Sequence, residues 1–188
     1  MITSKEYKPI YLTADIPKSA RYWRNLPEVW RWCRQRTLLT EHEQQEWIEK
    51  IHYDPSIKMF GVYCSSKETK DYVGVCGLTS LDLQNSKAEF SLYISPEHQG
   101  RGYGQKALGL LLAHAFMDFG LRRIWGEVFE GNPAMKMFKG LGFQHEGTLR
   151  SSYWKNGRFI DSDIVSLLTE EWQRAQRKKM RVINNGNT

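Results

Sequence analysis

One stretch of this chain limits its folds more than any other. Residues Lys87–Ile94 alternate, with Phe90, Leu92 and Ile94 on one face and Glu89, Ser91 and Tyr93 on the other, the two-residue period of a strand. Pro96 ends that strand, and Gly100, Gly102 and Gly104 follow in G-x-G-x-G spacing. From Tyr103 to Phe119, the positions Ala107, Leu108, Leu111, Leu112, Ala115, Phe116 and Phe119 recur at helical spacing, and Gly120 stops the pattern. A half-buried strand that turns through glycines into an amphipathic helix demands a sheet with that helix packed on it. Without Cβ atoms, the glycines let successive backbone N–H groups point into one concavity. The helix adds unpaired N–H donors and the positive end of its dipole, and Arg101 adds a fixed charge. Together they suit a phosphate or pyrophosphate group.

The nucleotide-triphosphate reading fails, because Gln105-Lys106-Ala107 stands where a P-loop needs Gly-Lys-Ser/Thr. A dinucleotide fingerprint needs G-x-G-x-x-G, which this spacing does not supply. A glycine-rich turn with no ligand remains open from the residues alone.

The rest of the chain reads as one α/β (α+β) domain built on a largely antiparallel sheet. Strands are expected at Tyr7–Leu12, Lys58–Cys64, Asp71–Leu81, Arg122–Glu130 and Gly142–Leu149. Asn156-Gly157 predicts a tight hairpin joining Thr148–Trp154 to Arg158–Leu168. Helices are expected at Pro17–Asn25, Glu28–Gln35, from the Thr40 capping box through Trp47, Ile48 and Ile51, at Pro133–Lys139, and from Thr169. With 188 residues, no apolar run of membrane length and no secretory signal, the chain is expected to be soluble and cytoplasmic. Cys33, Cys64 and Cys76 have no metal-like spacing and the histidines are scattered, so reduced thiols and no metal are expected. Five of the +6 net charge sits on Arg174, Arg177, Lys178, Lys179 and Arg181, which leaves the body nearly balanced.

At Q-G-R-G-Y-G, preceded by A-E-F-S-L-Y-I-S-P-E-H, the sequence resembles the acetyl-CoA-binding motif of the GNAT superfamily of N-acetyltransferases. Gln99, Gly102 and Gly104 match its Q/R-x-x-G-x-G/A pattern. Asn132 beyond the next strand, a short helix, and L-G-F at Leu141–Phe143 follow in the family's order. E-G-T-L-R, W-K-N-G-R-F and Asp161 resemble the branch of ribosomal-protein N-terminal acetyltransferases and spermidine acetyltransferases. The resemblance is detailed over about residues 71–168 and implies a GNAT-like fold: a mostly antiparallel mixed sheet of six to seven strands flanked by helices. Residues 1–173 are taken as the acetyltransferase domain and 174–188 as a basic tail.

The resemblance implies acetyl-CoA as cosubstrate. Gln99, Gly100, Arg101, Gly102, Tyr103 and Gly104 would hold its pyrophosphate; Leu92, Tyr93 and Ile94 would lie along the pantetheine arm. Asn132 would touch pantetheine or acetyl, or cap the helix after it. An alkyl ammonium of pKa ~10 must lose a proton before it attacks, and Glu89 is the expected base. The positions that in relatives carry a tyrosine or serine proton donor hold Phe138 and Met135, so Tyr93 and Tyr153 are the remaining hydroxyls. Trp23, Glu28 and Trp30 from the early helices and Tyr153 from the hairpin are assigned to the acceptor. The expected partner is an amine, either a protein N-terminus or a small metabolite, with the protein a monomer or homodimer. A nucleic-acid-directed enzyme gripping its substrate through the basic tail, and a non-catalytic acyl-CoA-binding module, are the alternatives.

Overall fold

The computed structural model describes residues 9–66 and 69–185, and the side chains of 9–64 and 71–178. The expected strand residues Tyr7 and Lys8, positions 67–68, and the side chains of Lys179 and Arg181 lie outside the described residues. The elements run β1 (Ile10–Thr13), α1 (Ser19–Asn25), α2 (Pro27–Trp30), α3 (Glu41–Tyr53), β2 (Lys58–Ser66), β3 (Thr69–Asp82) and β4 (Lys87–Ile94). After a 3₁₀ turn at Pro96–His98 come α4 (Tyr103–Ala113), β5 (Arg123–Phe129), α5 (Ala134–Leu141), β6 (Gln144–Lys155), β7 (Arg158–Leu168) and α6 (Thr169–Asn185). Among the described residues seven strands form one sheet in the order β1-β2-β3-β4-β5-β7-β6, with β4 and β5 parallel and the other neighbours antiparallel.

The alternation of β4 divides the core. Phe90 and Ile94 join Leu108, Leu111, Leu112 and Phe116 of the α4 segment in a cluster that also takes Ile124, Val128, Val165 and Leu167 from the sheet. On the other face, Tyr93 packs on Ala20, Met59 and Val75 beneath α1 and α3, with Trp47 and Ile51. The capping box that starts α3 is complete: Glu43 N–H donates to Thr40 Oγ1 at 3.2 Å, and Thr40 N–H to Glu43 Oε2 at 2.7 Å.

Three expectations need correction. The helix expected over Glu28–Gln35 stops at Trp30: the chain then tightens into i→i+3 turns, Trp32 N–H to Val29 O and Cys33 N–H to Trp30 O, and the carbonyls of Trp30, Cys33 and Gln35 accept from the Lys155 ammonium. The helix expected to reach Phe119 widens into a π turn at His114–Asp118, where His114 pairs with Asp118 and packs edge-on to Phe60 and Phe119. The two strands expected at 142–154 are one, β6, interrupted by a register shift between Leu149 and Tyr153.

The feature that positions the site is the parallel pair. β4 and β5 are in register only from Lys87↔Arg123 to Glu89↔Trp125. Beyond that point β4 continues beside β3 to Ile94 and β5 beside β7 to Phe129, so the two strands part. Phe90, the first residue past the last pair, lays its ring against Gly126, where a Cβ would meet Phe90 Cε1 at 2.4 Å. Phe138 and Phe143 pack on the same ring, at centroid distances of 5.0 and 5.3 Å. Gly126→Ala is expected to displace that ring and cost about 1–3 kcal/mol of stability in calorimetric unfolding, with part recovered in the Phe90→Leu background.

Arg123 of β5 reaches across β7 to a bidentate pair with Glu146 of β6, and both bond Ser166 between them. The Arg123 bond holds the Glu146 carboxyl down at about 2, against 4.5 ordinarily. A depressed carboxyl stabilises the fold above its unfolded value and loses that contribution as pH falls through its folded value. The gap in melting temperature between the native chain and Glu146→Gln should therefore be full above pH 4.5 and close as pH approaches about 2.

Candidate active site

At the wide end of the splay the chain leaves β4 and builds the glycine loop. Ser95 N–H donates to Val73 O, and the Ser95 hydroxyl bonds His98 Nδ1 at 2.8 Å. Gln99 folds its side chain back, donating Nε2–H to Ile94 O at 2.9 Å, so its amide braces the loop against the end of β4. Gly100 and Gly102 lie at φ +69° and +78°, the left-handed region that other residues enter at a cost. Gly104 lets α4 approach Met137 and Ile94, where an added Cβ would lie 3.4 and 3.5 Å away.

No side chain caps the first turn of α4, so its leading N–H groups are directed at the loop with the dipole's positive end behind them. Arg101 is exposed beside it. Tyr103 is buried against His98, and burial raises its phenol's pKa. Uncapped donors, two left-handed glycines and an exposed arginine fit a pyrophosphate, and the free edge of β4 over Leu92–Ile94 fits an extended arm lying alongside it. Asn132 has a local task, since its Oδ1 accepts from Ala134 N–H at 2.9 Å and caps α5.

The other face of the splay carries two carboxylates and an arginine. Glu89 of β4 and Glu127 of β5 stand on either side of the opening, their side chains 11% and 10% exposed. Arg34 bridges them: its Nη2 donates to Glu89 Oε1 and, at 3.1 Å, to Glu127 Oε2. Burial opposes the Arg34 charge, but the Glu89 bond and the surrounding carboxylates outweigh it and the pKa is raised. Glu127 also accepts from the Tyr153 hydroxyl at 2.9 Å and from Ser162 Oγ at 2.5 Å.

The register shift in β6 aims these groups. Ser151 sits at φ +51°, held there by its N–H bond to Asp161 Oδ1 at 2.8 Å, and Ser152 Oγ meets Ser162 Oγ at 2.6 Å. Burial, and then the bond to Glu127, raise the Tyr153 pKa, so it holds its proton at neutral pH.

Several expected site residues lie elsewhere. Trp23 is 5% exposed and belongs to the packing under α1, so it is not free to line an acceptor pocket. Glu28 is exposed on α2 and has no bond to the Glu89–Glu127 cluster. Trp30 is half-buried with the Lys155 ammonium 4.9 Å from its ring. The Tyr93 hydroxyl is buried without a hydrogen-bond partner under Arg24, and burial raises its pKa, a poor setting for a proton donor. Phe138 is 5% exposed among aromatic rings, so that position supplies no proton.

Glu127, Arg34 and Ser162 are functional candidates that the sequence reading does not reach. Glu127 shares a face with Trp125, the residue paired with Glu89, so the parallel register alone could have found it. Arg34 lies in an irregular loop and has no local signal.

A mixed sheet that parts along its parallel pair, with an uncapped helix at the mouth and two carboxylates across it, has room for a cosubstrate carrying a pyrophosphate on an extended arm. Comparison with known proteins gives the class. The acetyltransferase (GNAT) domain family matches residues 9–144, and the chain belongs to that family. The uncharacterized N-acetyltransferase p20 of Bacillus licheniformis is 30% identical over 162 residues, 84% of this chain and 89% of that protein. Spermidine N(1)-acetyltransferase of Vibrio cholerae is 28% identical over 131 residues, 69% of this chain and 74% of the relative. The crystal structure of spermidine N-acetyltransferase from Vibrio cholerae in complex with CoA and spermine shares the fold, with a TM-score of 0.80 at 24% identity over 87% of this chain and 98% of that one. The protein is an N-acetyltransferase that uses acetyl-CoA. Among the described residues no helix is long and apolar enough to cross a membrane, and no cluster of metal-ligating side chains occurs.

Gly102→Val, which forces a β-branched residue to φ +78°, is expected to weaken CoA binding more than about tenfold in calorimetric titration. Arg101→Ala should weaken it several-fold and flatten its dependence on salt.

Proposed function

We propose that this enzyme acetylates a small primary amine or a peptide N-terminus, with Glu89 as base and Tyr153 as proton donor. The observation that carries this reading is the placement of Glu89 and Glu127 across the parting strands, with the Tyr153 hydroxyl donating to Glu127. The bound cosubstrate would supply an acetyl thioester. The loop at Gln99–Gly104 would fix its pyrophosphate and β4 its arm, and a strand N–H would polarise the thioester carbonyl.

In this reading Glu89 takes the proton of the incoming ammonium; Arg34 bonds its Oε1, which leaves Oε2 for that task. Loss of that proton frees the nitrogen lone pair to form the new C–N bond as the C–S bond breaks. The departing sulfur takes a proton from Tyr153, and the nitrogen loses its second proton as the amide forms; of the two protons the nitrogen gives up, one restores the phenol and the other leaves Glu89 for solvent. This assignment replaces the hydroxyl absent at Phe138, and it weighs against a module that only binds acyl-CoA. The relatives reported above carry N-acetyltransferase names, which favours a small amine or peptide over a nucleic-acid acceptor.

Glu89→Gln is expected to lower kcat/KM about 10²–10⁴-fold with CoA affinity held within twofold. Tyr153→Phe should lower kcat by about tenfold and remove the upper limb of the pH–rate profile. Labelled acetyl-CoA offered with protein, nucleic-acid and small-molecule fractions of an extract identifies the acceptor pool. Label in the nucleic-acid pool alone, or turnover undiminished in Glu89→Gln, overturns the reading.

A further inference from the structure

The acceptor-facing side of the splay already holds a cation of the protein's own. Glu89 and Glu127 are both close to desolvated, and two such carboxylates repel unless a positive charge lies between them. Among the described residues Arg34 is the one cation bonded to either, and its Nη2 bonds both. The other partners of Glu127, Tyr153 and Ser162, are neutral hydroxyls. Two negative charges thus face one positive charge.

The loop bearing Arg34 is built to keep it there. Lys155, 9% exposed at the turn end of the β6–β7 hairpin, gives its ammonium to the carbonyls of Trp30, Cys33 and Gln35 at 3.3, 2.6 and 3.2 Å. Those carbonyls flank Arg34 on both sides and pin its backbone. The Arg34 side chain itself remains 46% exposed, so its guanidinium forms one wall of the open site. A buried lysine with no carboxylate partner among the described residues is costly and has no part in the chemistry above. Holding this loop is what it does.

We infer that Arg34 sets the charge class of the acceptor. With its guanidinium in place the carboxylate pair has one negative charge left to neutralise, so the site takes an amine bearing a single positive charge. A polyamine would bring a second ammonium within a few ångströms of Arg34, inside the screening length of physiological salt. The inference rests on the reading of Glu89 and Glu127 as the acceptor-side carboxylates.

Butylamine and spermidine, one a monocation and the other a polycation, serve as probes for the full-length chain. Each is measured as an acceptor at saturating acetyl-CoA, and by calorimetric titration with CoA present so that binding is read without turnover. The native chain should favour butylamine. Arg34→Gln should move the butylamine-to-spermidine ratio toward spermidine by about tenfold or more, and Arg34→Lys should keep the native ratio. A merely structural role for Arg34 would weaken both amines together and leave the ratio alone. An unchanged ratio in a folded Arg34→Gln protein, or a native preference for spermidine, overturns the inference. Glu127→Gln separates the two levels. If it weakens both amines while the Arg34→Gln ratio stays put, the acceptor site stands and the role of Arg34 falls. If it affects neither amine, the acceptor site itself falls, and this inference with it.

Discussion

Parallel strands β4 and β5 keep register only as far as Glu89 and Trp125, and the edge left beyond that point is what the rest of the molecule is arranged around. A strand edge inside a domain carries N–H and C=O groups that must find partners, so a long unpaired stretch there is costly unless something else completes the ladder. An extended ligand arm does so. The gap is kept open by packing: Phe90 occupies the space over Gly126 and is backed by Phe138 and Phe143. The ring that wedges the strands on one face therefore creates the distance across which Glu89 and Glu127 confront each other on the opposite one.

That confrontation accounts for several oddities at once. Ser151 has a strained backbone in the middle of a strand, and the shift it allows brings Tyr153 and Ser152 into line with Ser162 and Glu127. Lys155 is nearly buried at the turn end of the same hairpin, where its ammonium replaces the solvent that the 30–35 carbonyls would otherwise have. Both features are unfavourable taken alone. They persist because the hydrogen bonds they enable run without a gap from Ser152 through Ser162, Glu127 and Arg34 to Glu89.

The glycine loop, proposed here to hold the cosubstrate, was legible in the sequence as a structural feature because its geometry is local. A strand, left-handed glycines and a helix start are neighbours in the chain, and their residue types are dictated by backbone geometry. The placing of Glu89 on the face opposite Phe90, Leu92 and Ile94 followed from the alternation of the same stretch, whereas the strand order did not. The acceptor half was much less legible. Arg34, Glu127, Tyr153 and Ser162 come from four separate segments, and only the fold brings them together. Aromatic density misled where it was taken as a pocket: Trp23 is buried because a small domain must place its large rings somewhere. The end of α2 was missed too: the carbonyls at and beyond it accept from a lysine more than a hundred residues away.

The hairpin β6–β7 contributes Tyr153, Lys155 and Ser162, yet apart from its first residue it lies outside the 9–144 span shared with the family. The glycine loop and the parting strands lie inside it. Within the sheet β7 pairs with β5 along the whole of Arg123–Phe129, so the hairpin and the parting strands share one ladder in addition to the bonds at Glu127 and near Arg34. Under the proposed roles, a change in the hairpin that keeps this ladder would be felt at Glu127 and the Arg34 loop before it reached the glycine loop.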